Sequence, residues 1–169
     1  MMGSMQQNHW ILDGYNVMHA LGKIHESPSF EVARALFVAW LGQFQSQGDK
    51  RITVVFDSNV TFEGPQVMHP RIHIIYSPQG FNADGTILMC VRQANPETRS
   101  HLTVVTRDRM LRDTLFAYNC VVVSPEAFFK EYLIYQSNTQ RVNQQKTPSQ
   151  KYFYKPFQTH FDRYPPKTS

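Results

Sequence analysis

Four aspartates occupy comparable places at the ends of predicted elements, and together they could hold a divalent cation. Asp13 and Asp57 each end an apolar run, Asp108 lies just past a later one, and Asp84 begins a predicted helix. Carboxylates held close together repel one another unless they share a proton or bind metal. Oxygen-rich sites suit Mg²⁺ or Mn²⁺ better than Zn²⁺, and such an ion can activate water for attack on a phosphate.

Each of these aspartates, taken alone, also has a simpler interpretation. An Asp after a strand is commonly an N-cap or a turn former, and Asp13-Gly14 is a common turn sequence. Capping does not require an acid at the end of so many elements, so the shared placement favours a cation site. Asp113 does not share this placement, and we expect it on an exposed helix face.

Alternating strands and helices would position these residues. Apolar runs rich in Val and Ile predict strands at 9–13, 52–56, 72–76, 102–105 and 120–123. Helices are predicted after Pro28 and over 83–94, 108–118 and 127–135, and segment 59–70 is predicted to be a loop. In the first helix an apolar stripe is expected, formed by Val32, Leu36, Trp40 and Phe44.

This order predicts an α/β fold, with three layers (α/β/α) and a mostly parallel central sheet of about five strands. The carboxyl ends of parallel strands meet at one edge of the sheet. Ligands bind there, where the strand order reverses, so the aspartates are expected to lie at a ligand-binding edge.

The chain has 169 residues, 41% of them hydrophobic, which predicts a single domain with its own core. No apolar run is long enough to cross a bilayer, and we expect no membrane partner. Residues 1–8 are polar, predicted to be disordered or tag-derived, and carry no secretory signal pattern, so a cytoplasmic protein is expected. Cys90 and Cys120 lack metal-site spacing, so both are expected to be buried thiols. The oligomeric state is left open.

Positive charge is concentrated in the C-terminal tail, defined as residues 136–169. Residues 1–135 carry 11 Lys and Arg against 12 Asp and Glu, whereas the tail carries 6 Lys and Arg against a single Asp. Its segments 151–157 and 160–164 interleave aromatic rings with cations. Such a pattern can stack on single-stranded RNA bases and hold phosphates, or it can pack on the body of the protein; both interpretations stay open.

The segment Asp13-Gly14-Tyr15-Asn16-Val17-Met18-His19 resembles the opening motif of the NYN-domain family, in particular its YacP-like branch of PIN-like ribonucleases. The resemblance continues in Val54-Val55-Phe56-Asp57, in Asn82-Ala83-Asp84-Gly85-Thr86-Ile87 and in Val104-Val105-Thr106-Arg107-Asp108-Arg109. It covers roughly residues 9–130. The nuclease domain is therefore predicted over 9–135, and the tail lies outside the resemblance.

The resemblance implies an endoribonuclease that uses Mg²⁺ or Mn²⁺ to cleave RNA, either single-stranded RNA or mRNA, with the ribosome as a further candidate partner. The implied metal site consists of Asp13, Asp57, Asp84 and Asp108. Asn16 would sit beside the first acid and bond a water or a phosphate. The candidate substrate-binding residues are Thr106, Arg107, Arg109 and His19. Thr106 could instead orient Asp108 or complete its strand, and His19 could be a structural helix-end residue.

Two positions depart from the family pattern. Arg107 stands where relatives usually have a small residue, and Leu88 stands where they often have an acid. These departures leave room for an alternative function, that of a catalytically weak or inactive RNA-binding or ribosome-binding module. A small-molecule phosphatase would need a second acid two residues after Asp13, where this chain has Tyr15.

Overall fold

The computed structural model describes residues 8–22, 27–45, 51–58 and 68–131. The strands are β1 His9–Asp13, β2 Arg51–Phe56, β3 Ile72–Tyr76, β4 Leu102–Val105 and β5 Val121–Val123. The helices are α1 Gly14–Ala20, α2 Phe30–Gln45, α3 Ala83–Gln93, α4 Pro96–Arg99 and α5 Arg109–Phe116. Residues 125–131 are also helical and are called α6.

The five strands form one sheet in the order β3-β2-β1-β4-β5, and every neighbouring pair is parallel. The predicted α/β fold with a parallel five-stranded sheet is therefore confirmed. The chain moves outward from β1 to β3 and then returns to the other side of β1 with β4. The strand order thus reverses between β1 and β4, and a crevice is expected at the carboxyl ends of these two strands.

Alternate residues of a strand point to opposite faces of the sheet, and here both faces carry apolar side chains. Helices therefore cover both faces. On one face Ile11, Val55 and Val104 form a buried cluster with apolar residues of α3 and α5. On the other face Trp10 packs against Phe128 of α6, with ring centroids 5.3 Å apart. Both faces of the central strands are buried, which explains their continuous apolar sequences.

Asparagine and aspartate side chains cap the N-termini of the helices that begin near the carboxyl edge of the sheet. Asn82 Oδ1 accepts a hydrogen bond from the backbone N–H of Gly85 at 2.9 Å and caps α3. Asp108 Oδ1 accepts from the backbone N–H of Leu111 at 2.7 Å and caps α5. These bonds satisfy N–H groups that the first helical turn leaves without an intrahelical acceptor.

The turn that was considered as an alternative interpretation of Asp13-Gly14 is not formed, because α1 begins directly at Gly14. A Cβ atom at Gly14 would lie 2.5 Å from two ring carbons of Phe56, so only glycine lets the chain enter the helix this close to β2. The short helix α4 was also absent from the sequence prediction. Asn95 caps it by accepting from the N–H of Thr98 at 2.7 Å, and Pro96 occupies its first position.

The predicted apolar stripe of α2 is only partly correct. Trp40 is buried, but Val32 is 39% exposed and Leu36 is 40% exposed. The inward face instead carries Phe37, Leu41 and, unexpectedly, Arg34, which is 1% exposed. The side chain of Phe44 lies outside the described residues. The spacing of the apolar residues alone does not identify the buried face of α2, because the long cationic side chain of Arg34 lies on that face as well.

Several sequence predictions fall outside the described residues. They concern the N-terminal residues 1–7, most of the predicted loop 59–70, the end of the last helix after 131, and the C-terminal tail. Within the described part of the chain, no helix is both long and apolar enough to cross a membrane.

At the amino end of the sheet, two histidines share one buried hydroxyl. His9 Nε2 lies 2.8 Å from Thr53 Oγ1, and His73 Nδ1 lies 3.3 Å from the same oxygen. Burial lowers the pKa of His9 from 6.5 to about 4, and the nearby charges of Arg51 and His73 add to this. His9 is therefore neutral at pH 7.

This shift predicts loss of stability in mild acid. Between pH 6.5 and 4 the unfolded chain binds a proton at His9 that the folded protein does not, so stability falls as pH falls through this window. The melting temperature measured from pH 7.5 to 4 should decline more steeply for the natural protein than for His9→Gln, whose amide can still bond Thr53. Parallel pH curves for the two proteins would contradict this assignment.

Candidate active site

The carboxyl ends of β1 and β4 bring Asp13 and Thr106 together. Asp13 is the last residue of β1 and is only 6% exposed, although it carries an ionisable carboxyl group. Thr106 follows β4, is 3% exposed, and its Oγ1 donates to Asp13 Oδ2 at 3.3 Å. The same Oγ1 accepts from the backbone N–H of Asp108 at 3.0 Å. One hydroxyl thus links the first and last aspartates of the predicted set.

The other three aspartates lie on different elements, and the charges of Asp84 and Asp108 act on Asp13. Asp84 is in the first turn of α3 and Asp108 caps α5. Asp57 directly follows β2, and its Oδ1 accepts from the hydroxyl of Ser77 at 3.3 Å. Asp108 therefore does perform the capping role that was weighed against metal binding, while the Asp13 side chain forms no capping hydrogen bond.

Asp13 is unusually difficult to ionise. Burial raises its pKa from 3.8 to about 7, the charge of Asp84 contributes next, and the charge of Asp108 contributes less. The backbone amide of Asn16 and the hydroxyl of Thr106 offset part of this rise. The pKa of Asp84 is also raised, by burial first and then by the charges of Asp108 and Asp57. The charges of Asp57, Asp84 and Asp108 therefore each act on another member of the set, and Asp13 and Asp84 are the two whose pKa values rise.

The donor set consists of carboxylate oxygens, which suit a hard cation. Carboxylate oxygens are the ligands that Mg²⁺ and Mn²⁺ prefer, and a cation would relieve the repulsion that raises the Asp13 pKa. Among the described residues, no three His, Cys, Asp or Glu side chains are close enough to hold one ion together. Mg²⁺ usually keeps several waters and needs only one or two carboxylates, so the residues fit a cation that stays largely hydrated.

Arg107 lies beside the acidic residues and is fixed at two points. Its backbone N–H donates to Asn16 Oδ1 at 2.8 Å, which attaches the β4–α5 connection to α1. Its guanidinium forms an ion pair with Glu126 of α6. Asn16 therefore uses its side-chain oxygen within the protein, and its amide nitrogen is the group with which it could reach a phosphate.

The remaining predicted substrate-binding residues are spread over two helices. Arg109 is the first residue of α5 and is exposed. His19 is exposed in the last turn of α1, six residues beyond Asp13, or roughly 9 Å further along the helix axis. Thr106 is buried and its hydroxyl contacts protein groups on both sides, which favours the orienting role over direct contact with phosphate.

Comparison with known proteins identifies the family. The YacP-like NYN domain family matches residues 10–163. The chain belongs to the YacP-like NYN domain family. This family is nuclease-like, with a PIN-like fold, and the resemblance noted in the sequence is confirmed. The match continues past residue 130, where that resemblance ended, and includes most of the C-terminal tail.

Individual relatives agree with this assignment. The chain is 26% identical over 125 residues to the uncharacterized protein YacP of Bacillus subtilis (strain 168), covering 72% of each chain. Crystal structures of Rae1 (YacP) from Bacillus subtilis share its fold. A mutant of Rae1 with one tryptophan replaced by leucine aligns with a TM-score of 0.68 at 22% identity, covering 83% of this chain and 85% of that one. A second Rae1 structure aligns with a TM-score of 0.64 at 23% identity, covering 81% and 82%.

Leu88 and Arg107, the two positions expected to depart from the family pattern, have different structural settings. Leu88 is partly buried and packs against the apolar cluster under α3 and α5, so a carboxylate at this position would have to leave the core. The side chain of Arg107 is 58% exposed and forms an ion pair with Glu126 of α6. The first departure serves packing, and the second places a cation at the edge of the candidate NYN site.

Sequence reasoning missed a cluster of rings around a buried cation beside the NYN motif. The Arg34 guanidinium lies 5.5 Å from the ring centroid of Tyr76 and 5.9 Å from that of Phe56. Tyr15 packs on Phe56 with centroids 5.0 Å apart. Burial raises the pKa of Tyr15 to about 12, so this hydroxyl stays protonated. The cluster supports the segments that carry Asp13 and Asp57.

Replacing Thr106 with Val should destabilise the protein in a pH-dependent manner. The substitution removes a donor to Asp13 and an acceptor for the N–H of Asp108 while keeping the side-chain shape. A hydrogen bond to a charged group contributes about 1.5–3 kcal/mol, so we expect a loss of that size at pH 8 in metal-free buffer. The loss should shrink at pH 5, where Asp13 is protonated in the folded protein.

Urea unfolding at both pH values would measure these free energies. Thr106→Ser, which keeps the hydroxyl, is the matched control and should lie close to the natural protein. A Thr106→Val penalty that is equal at pH 5 and pH 8 would show that the hydroxyl does not stabilise the ionised Asp13.

Proposed function

We propose that this chain is a divalent-metal-dependent endoribonuclease whose site is the carboxyl edge of the sheet, with Asp13, Asp57, Asp84 and Asp108 as its acids. The observation that carries the proposal is the position of Asp13. It is buried where the strand order reverses, next to the Thr106 hydroxyl, and it faces the charges of Asp84 and Asp108. The nuclease-like family to which the chain belongs supports phosphodiester hydrolysis as the reaction.

The residues of the chain would divide the work between cation binding and substrate binding. Asp13 and Asp84 would hold Mg²⁺ or Mn²⁺, with Asp57 and Asp108 contributing directly or through water. Thr106 keeps Asp13 oriented, and Asn16 holds the loop before Asp108 in place. When bound, the cation would supply charge for the phosphate and activation of the attacking water. Arg107 and Arg109 would steady the RNA backbone, because phosphates must approach an acidic centre.

A catalytically weak module that binds RNA or the ribosome is the second candidate. Two observations favour it: Asp108 already accepts a capping hydrogen bond, and the described residues bring no three acids within reach of a single ion. Such a module would bind RNA without cutting it, and its affinity would not depend on Asp84.

The deciding experiment is incubation of the purified full chain with end-labelled single-stranded RNA in Mn²⁺, Mg²⁺ or EDTA. We expect cleavage with either metal and none in EDTA. Asp84→Asn should abolish cleavage, because Asp84 is only partly buried, so that its carboxylate can reach a hydrated cation, and its charge acts on Asp13.

Asp113→Asn is the matched control, since Asp113 is an exposed acid on α5 whose side chain is 70% exposed and lies 3.7 Å from Arg112. It should cleave like the natural protein. Cleavage that survives in Asp84→Asn would overturn the four-aspartate site. RNA binding without cleavage under every metal condition would support the binding module instead.

A further inference from the structure

We propose that Glu126 is an affinity-setting residue whose carboxylate competes with an RNA phosphate for Arg107. The inference rests on the proposed function, since it assumes that RNA is the substrate of the acidic edge. It concerns the contact between two exposed side chains, those of Arg107 and Glu126.

The position of Arg107 is set by its backbone. Its N–H donates to Asn16 Oδ1 at 2.8 Å, and Asp108, the next residue, caps α5 and contacts Thr106 through its own N–H. The backbone on both sides of the Arg107 side chain is therefore attached to residues that surround Asp13. A cation that extends from this point lies at the rim of the acidic edge, where a phosphate has to pass.

Glu126 is held on an equally firm support. Ser124 caps α6, because its Oγ accepts from the N–H of Ala127 at 3.1 Å. Phe128, two residues beyond Glu126, is fully buried and packs on Trp10 of β1. The first turn of α6 is thus anchored to the sheet, and Glu126 projects from it with a side chain that is 52% exposed.

The ion pair of Arg107 with Glu126 joins these two supports. A carboxylate and a phosphate both present anionic oxygens to a guanidinium, and both are bound through charge-assisted hydrogen bonds. The Glu126 carboxylate therefore binds the Arg107 guanidinium as a phosphate oxygen would. An RNA phosphate can pair with the Arg107 guanidinium only when the ion pair with Glu126 breaks. Glu126 therefore weakens RNA binding.

The size of the effect follows from the exposure of the pair. Both side chains are more than half exposed, so solvent screens their attraction. Breaking the ion pair therefore requires little free energy. Exposed pairs of this kind correspond to about a two- to fivefold change in an equilibrium constant. Glu126 should therefore reduce RNA affinity by about that factor and leave binding itself intact.

The test is a double-mutant cycle on the full chain, read out by fluorescence anisotropy of labelled single-stranded RNA in EDTA, where no cleavage is expected. Glu126→Gln should lower the Kd about two- to fivefold, and Arg107→Gln should raise it. In the Arg107→Gln background, Glu126→Gln should change the Kd little, because the competition has been removed. The KM for cleavage in Mn²⁺ should follow the same pattern.

Glu97→Gln is the control for a general charge effect. Glu97 is an exposed acid on α4, which precedes β4 and lies at the opposite end of that strand from Arg107. This variant has the same change in net charge and should bind RNA like the natural protein.

Three results would overturn the inference. They are an equal effect of Glu126→Gln with and without Arg107, an equal effect of Glu97→Gln, and the absence of RNA binding. Coupled effects on Kd in a protein that never cleaves RNA would instead reject the nuclease proposal while supporting the role of Glu126. The two proposals can therefore fail separately.

Discussion

Asp13→Asn should lose RNA cleavage by about a hundredfold or more and yet be more stable than the natural protein in metal-free buffer at pH 8. The activity is lost because a neutral amide is a poor ligand for Mg²⁺ or Mn²⁺. The stability rises because the folded protein holds Asp13 with a pKa raised to about 7, mainly by burial and by Asp84. Ionising this carboxyl group therefore costs free energy that an amide does not.

The pH dependence of this gain has a definite sign. An acid whose pKa rises on folding, here from 3.8 to about 7, destabilises the fold progressively as pH rises through that window. The advantage of Asp13→Asn should be absent below pH 3.8 and complete above pH 7. Each pKa unit corresponds to about 1.4 kcal/mol, and the amide accepts a weaker bond from Thr106, so we expect a net gain on the order of 2 kcal/mol.

Urea unfolding at pH 5, 6.5 and 8 in EDTA would measure the gain, beside a cleavage assay in Mn²⁺. The exposed Asp113→Asn is the control and should change neither quantity appreciably. An Asp13→Asn variant that is less stable than the natural protein at pH 8 would show that the buried carboxylate is compensated by contacts other than those described above.

Addition of Mn²⁺ or Mg²⁺ should raise the melting temperature of the natural protein, and more strongly at pH 8 than at pH 6. A ligand at a hundredfold excess over its Kd stabilises a fold by about 2.7 kcal/mol, which corresponds to roughly 5 to 10 °C for a chain of this size. Binding requires the ionised carboxylate, and Asp13 is largely protonated at pH 6. Protons therefore compete with the metal.

Thermal unfolding with increasing metal at the two pH values would measure the shift, without any reference to RNA. Asp13→Asn should abolish it, and Asp113→Asn should retain it. A shift that persists in Asp13→Asn would place the bound cation elsewhere on the protein, and a shift that is equal at pH 6 and pH 8 would separate metal binding from the ionisation of Asp13.

These two predictions have one physical origin. The fold brings acids together and buries one of them, Asp13. This burial lowers the stability of the folded protein in the absence of a cation. Proteins commonly accept such strain at functional sites, and substitutions that relieve it stabilise the protein at the expense of activity. The opposite effects expected for Asp13→Asn separate this situation from an ordinary buried polar residue, whose loss would reduce stability alone.

The strands were predictable because their sequences carry a strong local signal. Continuous Val and Ile runs specify burial on both faces, and the predicted bounds of β1, β3 and β4 agree with the structure. The entry into α1 was not predictable in this way. Asp13-Gly14 has the local chemistry of a turn, and the reason for glycine lies in the ring of Phe56, which is 42 residues away in the chain.

The inward face of α2 shows the same limit. Its helical spacing was recognised, but Val32 and Leu36 point outward while Arg34 is buried among aromatic rings. A cation on an apolar face contradicts the usual pattern of burial. The rings of Phe56 and Tyr76 lie around that position and favour the burial of the guanidinium.

The sequence by itself determined the fold class, the family and the set of acids at the strand ends, because these depend on local patterns and on the order of elements along the chain. The tertiary structure alone decided how those acids interact. It buries Asp13, places the Thr106 hydroxyl between Asp13 and Asp108, and brings Glu126 to Arg107. Burial, charge repulsion and ion pairing depend on distances in space between elements that are far apart in sequence, and these distances set both the pKa of Asp13 and the availability of Arg107.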